Sequence, residues 1–228
     1  MQDNSVAVII PVYNEAEVIK DVVNQVLKHF RNVICVDDGS KDTSAEEISK
    51  TKAILVKHPI NLGQGAALQT GIEFALLDKE TSYFVTYDAD GQHSLHDVVN
   101  MLKVIKQSGV DVVLGSRFLG EAKDISSLKK LVLKLAVKFS NITSGIKLTD
   151  THNGLRVFNR KVAQELNITM ADYSHASEII ERIASHSFSY TEVPVTILYT
   201  DYSRKKGQSI INAVNISFDI ILNKLAKK

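Results

Sequence analysis

The chain has 228 residues, 44% of them apolar and 23% charged, and a formal net charge of +1; that balance excludes a disordered chain and gives no global field for nucleic acid. The length allows one large domain or a domain with an appendage. A single cysteine, Cys35, excludes an intramolecular disulfide and any cysteine-based zinc site, and fits a reducing cytosol. The segment Met1 to Ser5 lacks the basic and apolar regions of a signal peptide. No uninterrupted apolar run reaches the ~20 residues of a membrane-spanning helix. The expectation is a soluble or peripheral, cytoplasmic protein.

Val6-Ala7-Val8-Ile9-Ile10 is a continuous apolar run that predicts a central parallel strand buried on both faces and ending at Pro11. Pro11-Val12-Tyr13-Asn14-Glu15 opens a helix over roughly 16–29, with Val18, Ile19, Val22, Val23, Val26 and Leu27 at helical spacing. A second strand, Val33-Ile34-Cys35-Val36, runs into Asp37-Asp38-Gly39-Ser40, where Ser40, Asp42 or Thr43 caps a helix carrying Ala45 to Ser49. Ile54-Leu55-Val56 is a third, short strand. Asn61-Leu62-Gly63-Gln64-Gly65-Ala66-Ala67 then starts a helix to about Leu77, and its glycines let backbone and ligand approach closely.

Tyr83 to Tyr87 reads as a buried strand that ends in Asp88-Ala89-Asp90-Gly91-Gln92-His93. Residues two apart in an extended chain point the same way, so Asp88 and Asp90 can face one cation, with the Gln92 amide oxygen as a third hard ligand. Mg²⁺ or Mn²⁺ bridging two phosphates suits that set; the plainer alternative is a strand-end turn that caps the next helix. A helix near 95–107 and a strand Val110 to Leu114 follow, closed by Gly115-Ser116-Arg117-Phe118. This alternation argues for a doubly wound, mostly parallel α/β sheet with a ligand at the carboxyl ends of its strands. The dinucleotide and P-loop glycine fingerprints are both absent.

Beyond this half, Ile125 to about Ser144 forms a basic amphipathic helix: Leu128, Leu131, Val132, Leu135, Ala136 and Phe139 recur at helical spacing among Lys129, Lys130, Lys134 and Lys138, with Lys123 just ahead. It suits either an anionic membrane surface or packing with a solvated lysine face. Thr149 to Phe158 is a loop entering a strand, a helix spans roughly 175–185, and Tyr190 to Tyr199 is extended. Ile210 to Leu225 is apolar on more than one face and ends in lysines, which places an oligomer or membrane contact ahead of simple core packing.

Six motifs stand in the order seen in family 2 glycosyltransferases of the GT-A fold: Pro11 to Glu15, Val36 to Ser40, Asn61 to Gly65, Asp88 to His93, Gly115-Ser116-Arg117, and Asp150 through Gly154 to Arg156. The chain most resembles the branch of dolichyl-phosphate mannose synthases and polyprenyl-phosphate sugar transferases, from Val6 to about Ser209. The resemblance implies a transferase domain over 1–209, with a nucleotide-sugar half over 1–118, an acceptor half over 119–209, and a separate C-terminal helix over 210–228. It implies a donor site drawn from Pro11, Tyr13, Glu15, Asp37, Gly65, Asp88, Ala89, Asp90, Arg117, Arg156 and Lys206, with Asp88, Asp90 and Gln92 on the metal. Asp88, Asp90, Arg117 and Lys206 form the catalytic set. A metal beside the diphosphate steadies the charge of the leaving group, and guanidinium groups fork phosphate oxygens.

Two departures from the family matter. An arginine expected upstream of Lys206 reads Thr200, with Arg204 or Lys205 as substitutes. The Glu-Asp pair of hydroxyl-directed relatives reads Ser177-Glu178-Ile179, so the aspartate base is missing, with Asp150 or Glu178 as fallbacks. A phosphate monoester is already an oxyanion and needs no base. The expected activity is therefore inverting, metal-dependent transfer of a monosaccharide from a GDP- or UDP-linked donor to a polyprenyl phosphate. The alternatives are a saccharide hydroxyl acceptor, or a catalytically silent subunit of a membrane complex; the partners expected are the donor, a lipid phosphate, and a homo-oligomer or membrane-anchored subunit.

Overall fold

In strand β1 (Asp3–Val12), Val6, Val8, Ile10 and Val12 project into one apolar core and Ala7 and Ile9 into a second, because successive side chains of a strand point to opposite faces. A strand buried on both faces must lie inside its sheet. The computed structural model describes residues 3–122, 137–138, 140–142, 144–170, 174–198 and 202. Over these, the elements after β1 are α1 (Ile19–Leu27), β2 (Phe30–Asp37), α2 (Ser44–Ser49), β3 (Ile54–Lys57), α3 (Gln64–Leu76), β4 (Tyr83–Thr86), α4 (Leu95–Ser108), β5 (Val112–Ala122), β6 (Arg156–Asn159), α5 (Arg160–Glu165), α6 (His175–Ser185) and β7 (Tyr190–Ile197).

The strands form one sheet in the order β3-β2-β1-β4-β6-β5-β7. Pairings β1–β2, β1–β4, β2–β3 and β5–β7 are parallel, whereas β6 runs antiparallel to both neighbours. Helices α1 and α4 cover one face through Ile19, Val23, Val26, Val98, Met101 and Ile105. The other face carries α3, α5 and α6 through Leu68, Ile72, Val162, Ile180 and Ile183. The chain steps outward from β1 to β2 and β3, then returns by α3 to β4 on the far side of β1. That reversal leaves a crevice at the carboxyl ends of β1 and β4, where open α/β sheets bind ligands.

The structure redraws several expected boundaries. The first helix begins at Ile19 rather than near 16, because Asn14 takes a left-handed φ of 53° and the Glu15 carbonyl accepts from the N–H groups of Val18 and Ile19 in a turn that comes first. Gly115-Ser116-Arg117 lies inside β5 rather than after it, since pairing with β7 resumes at Glu121–Thr196 beyond a register shift. Helix α5 was not expected; the Asn159 side chain accepts from the Val162 N–H and caps it. Of the basic segment over 125–144, the described positions from 137 onward are helical; the rest of it and the apolar segment over 210–225 lie outside the described residues. Among those residues no helix is long and apolar enough to cross a membrane.

Candidate active site

Strand β4 ends at Thr86, and the Tyr87 N–H still reaches the Ile9 carbonyl of β1 at 3.0 Å, so Asp88 emerges at the crevice. The turn that follows is closed from inside. The Tyr87 hydroxyl donates to the His93 carbonyl at 2.7 Å, and His93 Nε2 lies 2.8 Å from Asp88 Oδ2. Gln64, at the start of α3, brings its amide nitrogen to Asp88 Oδ1 at 3.3 Å. The Thr86 hydroxyl donates to the Gly154 carbonyl at 2.6 Å, and a Cβ on Gly154 would lie 2.3 Å from Asp88 Oδ2. Only glycine lets that loop approach the acid so closely. The Gln92 N–H donates to Asp90 Oδ1 at 3.1 Å, and the Leu198 N–H, just past β7, holds the Gln92 carbonyl at 3.0 Å.

These surroundings drive the two acids apart. Burial works to raise the pKa of Asp88, but the His93 hydrogen bond and the charges of His93, Arg156 and His175 outweigh it and hold Asp88 below the usual carboxylate range. Asp90 is pushed up to about 6 by burial, by the Asp88 charge beside it and by Glu15. Two neighbouring carboxylates, one ionised and one resisting ionisation, are relieved by a divalent cation, so the residues present fit Mg²⁺ or Mn²⁺. Among the described residues no group of three or more acidic, histidine or cysteine side chains gathers as a metal set. A two-carboxylate set is what a hard cation uses when substrate phosphates complete its shell.

At the ends of β1 and β2, Val12 pairs with Asp37, and Pro11, Tyr13 and Glu15 lie at the same strand end. Asp37 is buried, and its Oδ1 has no hydrogen-bond partner. A buried acceptor left unpaired costs free energy, and a ligand donor would satisfy it. Asp38 is spent on structure: its carboxylate accepts from the N–H groups of Leu62 and Gly63 at 2.9 and 2.8 Å and lies 2.7 Å from His58 Nδ1. That bracing sets Gly63, at φ 94°, as the entry to α3, with Gly65 buried in its first turn. Tyr13 is 40% exposed at the mouth. The Tyr202 hydroxyl donates to Glu15 Oε2 at 2.5 Å and so brings the later chain onto the end of β1.

On the other side, Arg156 starts β6 opposite Thr86. It is 2% exposed, and its Nη1 has no hydrogen-bond partner. Burial lowers its pKa to about 10, which leaves it a cation at neutral pH. Arg117 is pinned by Asp150, whose Oδ2 accepts from its Nε at 2.6 Å and its N–H at 3.1 Å. Asp150 Oδ1 accepts the His152 N–H, and Glu192 accepts from the Thr149 and Asp150 amides. Glu178 is buried and accepts from the N–H groups of Thr169 and Met170 and from the Thr169 hydroxyl, at 2.7 to 2.9 Å. The structure thus gathers Pro11, Tyr13, Glu15, Asp37, Gly65, Asp88, Ala89, Asp90, Gln92, Arg117 and Arg156 at one sheet edge. Lys206, with Thr200, Arg204 and Lys205, lies outside the described residues.

The family model described as Glycosyl transferase family 2 matches residues 7–166, which takes in the carboxyl ends of β1 and β4 that form the crevice. This chain is a family 2 glycosyltransferase. The glycosyltransferase is 32% identical over 228 residues to the uncharacterized protein MJ1222 of Methanocaldococcus jannaschii, covering 97% of this chain and 93% of that one. It is also 32% identical, over 250 residues, to the UDP-N-acetylglucosamine--dolichyl-phosphate N-acetylglucosaminyltransferase of Methanococcus voltae, covering 100% and 99%. Against the polyprenol monophosphomannose synthase of Mycolicibacterium smegmatis, identity is 28%, with 92% and 82% covered. Among solved structures, glucosyl-3-phosphoglycerate synthase from Mycobacterium tuberculosis, in complex with Mn²⁺, uridine-diphosphate and phosphoglyceric acid, superposes with a TM-score of 0.75 at 15% identity, over 98% of this chain and 78% of that one. That likeness shows the GT-A fold for this glycosyltransferase.

Asp38, His93 and Gln64 had not been singled out as shaping the site. His93 follows Gln92 directly and is the most accessible of the three to sequence reasoning; Asp38 and Gln64 depend on contacts 20 or more residues away.

Proposed function

We propose that this glycosyltransferase moves a monosaccharide from a nucleoside-diphosphate sugar to a polyprenyl or dolichyl phosphate, with inversion at the transferred carbon. One observation carries the choice of acceptor: both carboxylates left as bases are already engaged, Asp150 by Arg117 and Glu178 by Thr169 and Met170. A sugar hydroxyl needs a base to take its proton, whereas a phosphate oxyanion attacks as it stands. His152 is no substitute, because burial, aided by the charges of Arg117 and Arg156, lowers its pKa to about 4. The names of the relatives from Methanococcus voltae and Mycolicibacterium smegmatis support the reading.

In this reading Asp37, Tyr13 and Pro11 receive the nucleoside, Asp88, Asp90 and Gln92 hold Mg²⁺ or Mn²⁺, and Arg117 and Arg156 face phosphate oxygens. When bound, the cation offsets the charge that gathers on the departing diphosphate. Arg156, desolvated and short of a partner, adds a fixed positive charge beside the two acids, where it needs no reorganisation during the reaction. His93 and Gln64 hold Asp88 in one orientation. Lys206 is proposed for the phosphates on the resemblance alone.

The test is a donor screen that reads nucleoside diphosphate release from UDP- and GDP-sugars with Mn²⁺, with and without a short polyprenyl phosphate. Release that depends on the lipid phosphate is expected. Release stimulated equally by free oligosaccharide would overturn the acceptor, and no nucleotide binding at all would point to a catalytically silent subunit.

A further inference from the structure

We infer that Glu192, on β7, is a positioning residue for Arg117, acting through Thr149 and Asp150 without touching a reactant. The inference depends on the function proposed above only in taking Arg117 as a phosphate-binding group. Register brings it there: Glu192 pairs with Leu114 and Pro194 with Ser116, so β7 lays the carboxylate alongside the stretch of β5 that carries Arg117. Glu192 Oε1 accepts from the Thr149 N–H and hydroxyl, both at 2.9 Å, and from the Asp150 N–H at 3.1 Å, while Oε2 lies 2.8 Å from the Thr149 nitrogen. Thr149 and Asp150 belong to no strand or helix. Their amides are satisfied by this one side chain rather than by a ladder, as buried or half-buried backbone groups require.

From there the order passes on to the cation. Asp150, 3% exposed, fixes Arg117 through Oδ2 and the His152 N–H through Oδ1. The Thr149 hydroxyl also lies 2.6 Å from the Ser116 hydroxyl, whose oxygen is 3.3 Å from the N–H groups of Phe118 and Leu119. A carboxylate bonded to amides makes stronger, shorter bonds than a neutral side chain. The Glu192 carboxylate bonds are directed at this turn, to Thr149 and Asp150. Loss of Glu192 leaves the Asp150 amide without a partner and loosens the turn that presents Asp150 to the Arg117 Nε.

The experiment uses the full chain with ¹⁵N-labelled arginine. The Arg117 Nε–H cross-peak, assigned by its loss in Arg117→Lys, is expected downfield and slow to exchange. In Glu192→Ala it should move into the bulk arginine envelope, and kcat/KM should fall about ten- to a hundredfold. Glu192→Gln, which keeps one acceptor oxygen, should recover most of both. An unchanged Nε–H signal in Glu192→Ala, or losses that multiply in the Glu192→Ala/Arg117→Ala double variant, would overturn the inference. Should alanine prevent folding, Glu192→Asp, one methylene too short for Thr149, is read by the same signal: displacement supports the relay and a wild-type spectrum overturns it. A wild-type chain that binds no nucleotide would sink the proposed function but leave this spectroscopic readout intact.

Discussion

Asp88 and Asp90 are two residues apart and have opposite electrostatic fates. Asp88 is encircled by donors and cations and stays ionised, while Asp90 faces burial and a like charge and ionises only near 6. The sign of the consequence follows. A carboxyl whose folded pKa is raised contributes stability that is complete below the ordinary carboxylate value and lost as pH rises through about 6. Metal-free Asp90→Asn should therefore be more stable than wild type at pH 7.5, by at most about 3 kcal/mol, and the gap should shrink toward pH 4; urea denaturation at the two pH values reads it. Proton and metal compete for the same oxygen, so apparent Mn²⁺ affinity of the wild-type chain should fall by about tenfold per unit as pH drops below Asp90's pKa. Gly154→Ala tests the close approach behind Asp88. A methyl 2.3 Å from Oδ2 must move the acid or the loop, at a cost of roughly 1–3 kcal/mol, and turnover should fall steeply while the circular dichroism spectrum remains native.

The elements of this chain act as holders, and the side chains that keep the loops in place sit on other elements. Asp38 at the end of β2 shapes the loop into α3, Glu192 on β7 shapes the turn before β6, and Glu178 on α6 gathers Thr169 and Met170. Glu178→Gln separates two meanings of that last acid. As a loop anchor, it should lower the melting temperature by an amount corresponding to about 1.5–3 kcal/mol and leave kcat within a few-fold; a large fall in kcat at unchanged melting temperature would make it a general base. Strands β1, β2 and β4 were legible because runs of β-branched residues bounded by Pro, Asp or Gly carry their own signal. The four residues of β6 carried none of their place. The run Thr149 to Phe158 reads as a loop entering a strand, but it does not record that strand's neighbours or direction; insertion of an antiparallel strand between β4 and β5 is a property of distant pairing. Helix α5 is only six residues long, and its one local sign was the Asn159 cap.

Over the whole molecule, two apolar layers clamp a sheet whose carboxyl edge is left polar. Cys35 lies in the interior of β2 with its thiol pushed up to about 12 by burial, so it should resist thiol reagents in the native state and label at the rate of global unfolding; fast labelling under native conditions would contradict the packing of β2. The acidic end of β4, the Asp37 step and Arg156 were readable in the sequence because each sits where a strand stops or starts, whereas Arg117 lies inside β5. Their convergence was readable only through the family likeness, since no periodicity records that Gly154 must face Asp88 or that Glu15 must neighbour Asp90. The central claim is that the acids after β4 hold a cation for a nucleotide. Calorimetric titration of nucleoside diphosphate in the presence of Mn²⁺ into wild type and Asp90→Asn tests it most directly. Metal-dependent binding by wild type and a loss of about a hundredfold or more in the variant are predicted; equal affinity in the two proteins, or binding indifferent to Mn²⁺, would contradict it.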